Sequence, residues 1–322
     1  MRYQFSSNLK NFIIGFLAEK RSLWYSYQSG ESILKQFDRF CIECYPDVDT
    51  VTSELGLSWS VRRKDEKGSS FEGRVCIIRE LARYMKRCGT GAFVIPKGMG
   101  CGGSRFVPHI FTDEELVCFF EKLDKMKVNA ASPLQHIVYP VLFRLLYSTG
   151  LRPSEAVNLS CQNVDLKNGV LFIEQSKGNK DRIVVLSDDM LELMRKYWYR
   201  ASEIVPINLY FFPDSQGGCI RTTTLNKMFK KYWEEADLGN PEKKTPRVYD
   251  FRHTFATRSL FNQIGKEIDI NAFLPYLSAY MGHNHLSDTA YYIHLNPGFF
   301  PNAGFYERND FDNLLPEVDY ER

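Results

Sequence analysis

The chain has 322 residues, 44% hydrophobic and 25% charged, with a formal net charge of +2. That length and apolar fraction bury one large core or two smaller ones, with two domains the expectation, and exclude a largely disordered chain. No run approaches the roughly 18 apolar residues of a membrane span, and Met1 to Lys10 is polar where a signal peptide turns apolar, so a cytoplasmic chain with no membrane partner is expected.

Charge is unevenly distributed. Residues 1–105 carry 17 Lys+Arg against 11 Asp+Glu, residues 106–298 carry 22 against 22, and residues 299–322 carry 2 against 6. A basic first third suits a unit that grips a polyanion such as nucleic acid, although a solvated basic helix face has the same composition.

From Ser6 to Arg87 the apolar residues recur at helical spacing: Leu9, Phe12, Ile13, Phe16 and Leu17, then Ile33, Leu34, Phe37, Phe40 and Cys41, then Val75, Ile78, Leu81, Ala82 and Met85. With a shorter segment over Val48 to Trp59, and a loop or helix start over Arg62 to Ser70, they predict a four-helix domain over 1–96. Cys41 and Cys44 form a close pair with no second pair to complete a zinc site, so reduced thiols and no metal or other cofactor are expected. The glycines of 97–105 mark a linker.

A second domain is predicted over 106–298. Thr112 and Glu115 fit a capping box with Phe111 as its hydrophobic staple. A helix over Leu134 to Ser148 stops at Gly150, and Pro153 opens the next helix with Arg152 at its start. The period then changes to short β-rich segments, Asn163–Leu166, Val170–Gln175 and Arg182–Leu186, with Lys177 at the tip of the second hairpin. Helices follow over Met190–Tyr199, Thr222–Ala236, Asp250–Phe261, Ile268–Met281 and Thr289–His294. The acidic tail 299–322 carries Phe305, Phe311, Leu314, Leu315 and Val318, too apolar for a solvated segment. The fold class expected is mainly α with a small antiparallel β-sheet.

Arginine, lysine, histidine and paired tyrosines are interleaved with apolar residues around Arg152, Lys177 and the stretch Thr245 to Tyr292. Cations beside a phenol suggest phosphodiester chemistry, which needs charge on the non-bridging oxygens, a nucleophile, and an acid for the leaving oxygen. Arginine suits the first task because its fork binds two phosphate oxygens and keeps its charge. Arg152 at a Gly-Leu-Arg-Pro turn and Arg252 between Phe251 and Phe255 are the two candidates, although either taken alone reads more often as a surface ion pair.

Arg152-Pro-Ser-Glu155, the Ser176-Lys177-Gly-Asn-Lys180-Asp-Arg182 stretch, Tyr249-Asp-Phe-Arg252-His253, Met281-Gly-His283 and Tyr292-Ile-His294 together resemble the boxes of the tyrosine recombinases, the phage-integrase family. The resemblance covers about residues 106–296; the N-terminal match is one of size, helicity and charge. It implies a helical core-binding domain plus a mixed α/β catalytic domain, and a site-specific recombinase that cuts and rejoins DNA through a 3′-phosphotyrosyl link. It further implies that Lys177, with Lys180 as fallback, is the general acid, that His283 binds the phosphate, and that Glu155 supports Arg152. Tyr292 lies nine residues after His283, the family's interval, and is the expected nucleophile; Tyr291 would point about 100° away on a helix. His253 is expected to be structural. One position departs from the pattern, since Tyr249 stands where histidine is usual, and a phenol is a poor base near pH 7.

Implied partners are double-stranded DNA with inverted-repeat half-sites, further copies of the chain as a dimer per site and a tetramer in synapsis, and an accessory or second recombinase protein. The tail is expected to contact the next subunit or its own domain. A type IB topoisomerase or resolvase shares this chemistry, and a sequence-specific DNA-binding protein with a weak site is a further alternative.

Overall fold

A computed structural model describes residues 3–23, 27–98, 107–174, 181–204, 209–239, 245–264 and 270–295. Lys177 and Lys180, residues 99–106 of the linker region, and the tail from 296 onward lie outside the described residues. The chain divides into two compact units, Met1–Phe106 and Val107–Arg322.

The first unit contains helices α1 (Lys10–Ser22), α2 (Gln28–Cys44), α3 (Ser53–Trp59) and α4 (Gly68–Arg87). The helical spacing explains their packing: Ile13, Phe16 and Leu17 of α1, Leu34, Phe37 and Cys41 of α2, and Val75, Ile78, Leu81, Ala82 and Met85 of α4 enter one core with Trp59. Two buried charges tie loops to it. Asp38 accepts hydrogen bonds from the Ser6 and Ser7 amides (3.2 and 3.1 Å) and from Ser7 Oγ (2.6 Å), pinning the N-terminal segment onto α2. Arg74 donates to both carboxylate oxygens of Glu66 (2.8 and 2.9 Å) and to the Val61 carbonyl (3.1 Å), which closes the polar loop before α4.

The second unit runs α5 (Asp113–Asp124), α6 (Gln135–Thr149), α7 (Pro153–Val157), a 3₁₀ turn (Cys161–Asn163), β1 (Val164–Asp165), β2 (Val170–Ile173), β3 (Arg182–Val185), α8 (Asp188–Ile204), α9 (Thr222–Glu235), α10 (Asp250–Ile264), α11 (Ile270–Met281), α12 (Leu286–Ala290) and a 3₁₀ turn (Tyr291–Leu295). The sheet is antiparallel in the order β1-β2-β3, with Leu171 opposite Val184. The class is therefore mainly α with a small antiparallel sheet, as the patterning predicts. Two elements differ from expectation. β1 has two residues, because the Asp165 carboxylate accepts the amides of Lys167 and Asn168 (2.9 and 3.0 Å) and turns the chain early. The last predicted helix is split into α12 and the 3₁₀ turn.

An aromatic core of Phe111, Phe119, Phe143, Phe229, Trp233 and Phe251 joins α5, α6, α9 and α10, with the Phe111 and Phe251 rings 4.7 Å apart. Gly150 ends α6 at φ +63°, and a Cβ there would lie 2.4 Å from the Phe255 ring, so the turn before Arg152 requires glycine on both counts. No described helix is long and apolar enough to cross a membrane.

The capping box of α5 is complete: the Glu115 amide donates to Thr112 Oγ1 (3.2 Å), and the Thr112 amide donates to Glu115 Oε2 (3.0 Å). Thr112→Ala is expected to lower the unfolding free energy by about 1 kcal/mol, with Thr112→Ser retaining most of it. Denaturant midpoints measure the effect, and an unchanged midpoint in the alanine variant would contradict the cap.

Candidate active site

Helix α10 lies between two cores. Phe251 enters the aromatic core, whereas Ala256 and Leu260 pack with Leu274, Leu277, Met281, Tyr292 and Ile293 in a smaller one. Arg252 sits where the two meet and is 1% exposed. Its Nη1 donates to the Gly150 carbonyl (2.7 Å) and its Nη2 to the Met281 carbonyl (2.6 Å), while its Nε is buried with no hydrogen-bond partner among the described residues.

The Met281 carbonyl belongs to the end of α11, where a Schellman motif closes the helix. The His283 amide donates to the Ser278 carbonyl (3.0 Å), the Gly282 amide donates to the Ala279 carbonyl (3.0 Å), and Gly282 has φ +64°. Arg182 Nε donates to the Tyr280 carbonyl (2.9 Å) and Arg152 Nη2 to the Gly282 carbonyl (2.8 Å). Arg152, Arg252 and Arg182 thus take three successive carbonyls and hold the turn that presents His283.

Glu155 fixes two of those arginines. Its Oε1 accepts from Arg152 Nη1 (2.8 Å) and Arg182 Nη1 (2.9 Å), and its Oε2 from Arg182 Nη2 (2.7 Å) and the Arg152 amide (2.8 Å). Sequence reasoning assigned Glu155 to Arg152 and missed Arg182. The available signal was strand alternation: Val184 is buried while Ile183 and Val185 face out, so Arg182 shares the inward face with Val184.

A cavity of about 360 Å³ opens beside this network, lined by Arg152, Tyr249, His253, His283, Tyr291 and Tyr292 among others. Tyr292 is 3% exposed and Tyr249 36%. The His283 ring stacks on Tyr292 at 6.1 Å between centroids, and His283 Nδ1 lies 2.7 Å from Thr289 Oγ1. His253 also faces this cavity, its ring 5.6 Å from Tyr292 and 5.2 Å from Tyr249. Tyr291 and Tyr292 are on a 3₁₀ turn, so about 120° rather than 100° separates them. Of the sequence-predicted residues, Arg152, Tyr249, His283 and Tyr292 meet at this cavity and Arg252 sits directly behind it; Lys177 is not among the described residues. A larger cavity of about 720 Å³, lined by α5 and α10, lacks such a set: Arg258, the cation among its lining residues, is held by Asp113 and Tyr147 (2.6 and 2.8 Å).

Burial and the Arg252, Arg152 and Arg182 charges push His283 down to about 3. Burial likewise takes His253 down to about 4, with Asp250 opposing it. Both imidazoles are therefore neutral at pH 7. Burial raises the Tyr292 phenol to about 12 even though Arg252 pulls it down. Burial opposes the Glu155 charge, but its bonds to Arg182 and Arg152 outweigh burial and hold it at about 2. Burial and the neighbouring Arg152 both lower Arg252, which as a guanidinium still keeps its charge. Two guanidiniums thus share one buried carboxylate, and a third, Arg252, lies close by, beside a protonated phenol and two neutral imidazoles, an arrangement suited to one bound anion.

Residues 118–298, more than half of the chain, match the phage integrase family, and the chain belongs to that family. It is a tyrosine recombinase, an enzyme of site-specific recombination. A Sinorhizobium fredii protein, y4rB, that bears an integrase/recombinase name is 27% identical over 303 residues, 92% of this chain and 96% of that one. Tyrosine recombinase XerD of Staphylococcus aureus is 28% identical over 196 residues, 59% of each chain. The fold is similar to that of the XerH site-specific recombinase bound to a palindromic difH substrate in a post-cleavage complex, with TM-score 0.64, 21% identity, and coverage of 84% of this chain and 77% of that one.

The Glu155 bridge makes stability depend on pH. A carboxylate held near 2 in the folded chain, against 4.5 unperturbed, adds stability that is full above 4.5 and lost as pH falls toward 2. Glu155→Gln is therefore expected to be less stable than the parent at pH 7, with the gap narrowing below pH 4.5. Denaturant melts across pH 3–7 measure this, and a gap independent of pH would contradict the bridge.

Proposed function

We propose that the chain cuts and rejoins double-stranded DNA by transesterification at Tyr292. The observation that carries this reading is the buried, unpartnered Arg252 Nε behind a cavity in which Tyr292 meets Arg152 and His283. A scissile phosphodiester in that cavity has a donor waiting for a non-bridging oxygen, and Arg152 supplies a second cation. Neutral His283, if Thr289 donates to its Nδ1, offers Nε2–H to the phosphate. Tyr292 Oη attacks phosphorus, forming a 3′-phosphotyrosyl link and releasing a 5′-oxygen that Lys177 protonates. Attack by the 5′-hydroxyl of a partner strand reverses the step and completes exchange.

Glu155 and Arg182 keep Arg152 in place. Tyr249, at the cavity rim, can donate a hydrogen bond to the phosphate or to the attacking phenol.

The basic first unit is proposed to add phosphate contacts, and the DNA to carry inverted-repeat half-sites, one protomer on each, with two such pairs in synapsis. The palindromic difH substrate of XerH supports the inverted-repeat half-sites. Integration, excision or transposition of a mobile element is the role this chemistry serves, with an accessory or second recombinase protein as an added partner.

The test uses a duplex selected by the full-length chain from a random-sequence pool and nicked near the cleavage point, so that a covalent adduct accumulates. Wild type is expected to form the adduct and Tyr292→Phe none, with DNA binding retained. Tyr291→Phe is expected to form it, and loss of the adduct in that variant alone would move the nucleophile.

Arg152→Ala and Arg252→Ala are each expected to slow cleavage by roughly 10²–10³-fold, as for loss of one oxyanion donor. Single-turnover rates on the same duplex measure this, and near-parental cleavage would remove that arginine from the site.

A further inference from the structure

His253 is the one imidazole in this cavity with a buried ring nitrogen and no partner: among the described residues nothing donates to or accepts from its Nδ1. His283, by contrast, has its Nδ1 engaged by Thr289. The His253 ring touches both phenols of interest, Tyr292 at 5.6 Å and Tyr249 at 5.2 Å between centroids. An unpaired polar atom at this depth is unfavourable unless a later partner meets it. Tyr249, next to it in the cavity, offers a hydroxyl that can donate a hydrogen bond, whereas His253 offers a ring nitrogen that can accept a proton.

We propose that His253 Nδ1 is the proton acceptor for Tyr292 during cleavage. This rests on the reading of Tyr292 as nucleophile. In the step, the Tyr292 Oη–H bond breaks and its proton passes to Nδ1, directly or through one water; the Oη–P bond forms; and the P–O5′ bond breaks, its oxygen taking a proton from the general acid. On religation the imidazolium returns its proton to the departing phenol, so no net proton is consumed.

The charges facing His253 suit this cycle. Burial opposes protonation first, Arg247 upstream and Arg252 on its own helix add to it, and Asp250 favours protonation; Arg152 from the start of α7, Tyr291 and Tyr292 of the 3₁₀ turn, Tyr249, His283 and Asp288 complete its surroundings. In the free site burial, with this balance of charges, keeps the imidazole neutral and able to accept. A phosphodiester brings a negative charge that offsets the arginines as the proton must move, so the base strengthens when the substrate is bound.

The test is single-turnover cleavage of the nicked duplex by the full chain, from pH 6 to pH 10, for wild type, His253→Ala and His253→Gln. Wild type is expected to level off above pH 7. Both variants are expected to bind the duplex normally and to cleave about 10²–10⁴-fold more slowly at pH 7, the range for loss of a general base. Their rates are expected to climb about tenfold per pH unit, because a phenol held at about 12 must then ionise unaided. A variant that cleaves at the parental rate at pH 7 overturns the inference, as does a loss by the same factor at every pH, complete loss included, since that is what a structural role predicts. A wild-type chain that forms no adduct at any pH overturns the Tyr292 reading itself; slow, pH-driven adducts in the variants leave that reading standing and support His253.

Discussion

The end of α11 governs the site. The carbonyls of Tyr280, Met281 and Gly282 lie where a helix leaves acceptors unsatisfied and carries partial negative charge. Each is taken by a guanidinium from a different element: Arg182 from β3, Arg252 from α10 and Arg152 from the start of α7. A hydrogen bond from a charged donor contributes roughly 1.5–3 kcal/mol, so the three together bind the helix end firmly. Gly282 makes this possible by turning left-handed, and the same turn delivers His283 to the cavity. A side chain at Gly282 would have its Cβ 3.1 Å from Arg182 Nη1, so the space is already used by the guanidinium that holds the turn.

The same interactions set the electrostatics. Two guanidiniums, Arg152 and Arg182, share one carboxylate, Glu155, and the buried Arg252 pairs with no carboxylate among the described residues, which leaves positive charge unbalanced in a buried place. Burying such charge without a counterion costs several kcal/mol, and a fold selected for stability alone would not keep it. Burial, with the nearby guanidiniums adding to it, keeps both imidazoles neutral, whereas the phenol stays protonated because burial outweighs the pull of Arg252. The resting site therefore awaits an anion. On the proposed reading, an entering phosphodiester compensates that charge and makes the neighbouring imidazoles easier to protonate.

The helix-cap logic also explains why Arg182 matters although it does not line the cavity. Without it, Glu155 would have one cation instead of two, and the Tyr280 carbonyl would lose its donor. In the first unit the same residue type plays a different part: Arg74 and Arg79 are buried and spend their donors on Glu66 and on the Ile95 and Pro96 carbonyls. Two of the basic residues counted in that unit thus serve its core rather than any polyanion.

Much of this was legible in the sequence, because it depends on local pattern. Helical spacing located the helices, the Thr112 box started α5, glycine ended α6, and alternation with turn residues marked the sheet. The boxes around Arg152, Arg252, His283 and Tyr292 pointed to phosphodiester chemistry for the same reason, as each is a short motif. What the sequence by itself determined is therefore the class of fold, the class of enzyme and the short motifs that carry the candidate residues. Only the tertiary structure decided which charges are spent on the fold and which stay available. It bound Arg182 to Glu155, 27 positions away, left Arg252 Nε unpaired, and turned His253 toward Tyr292. Those outcomes depend on burial and on contacts between distant segments, and neither period nor motif encodes which carbonyl a guanidinium will find.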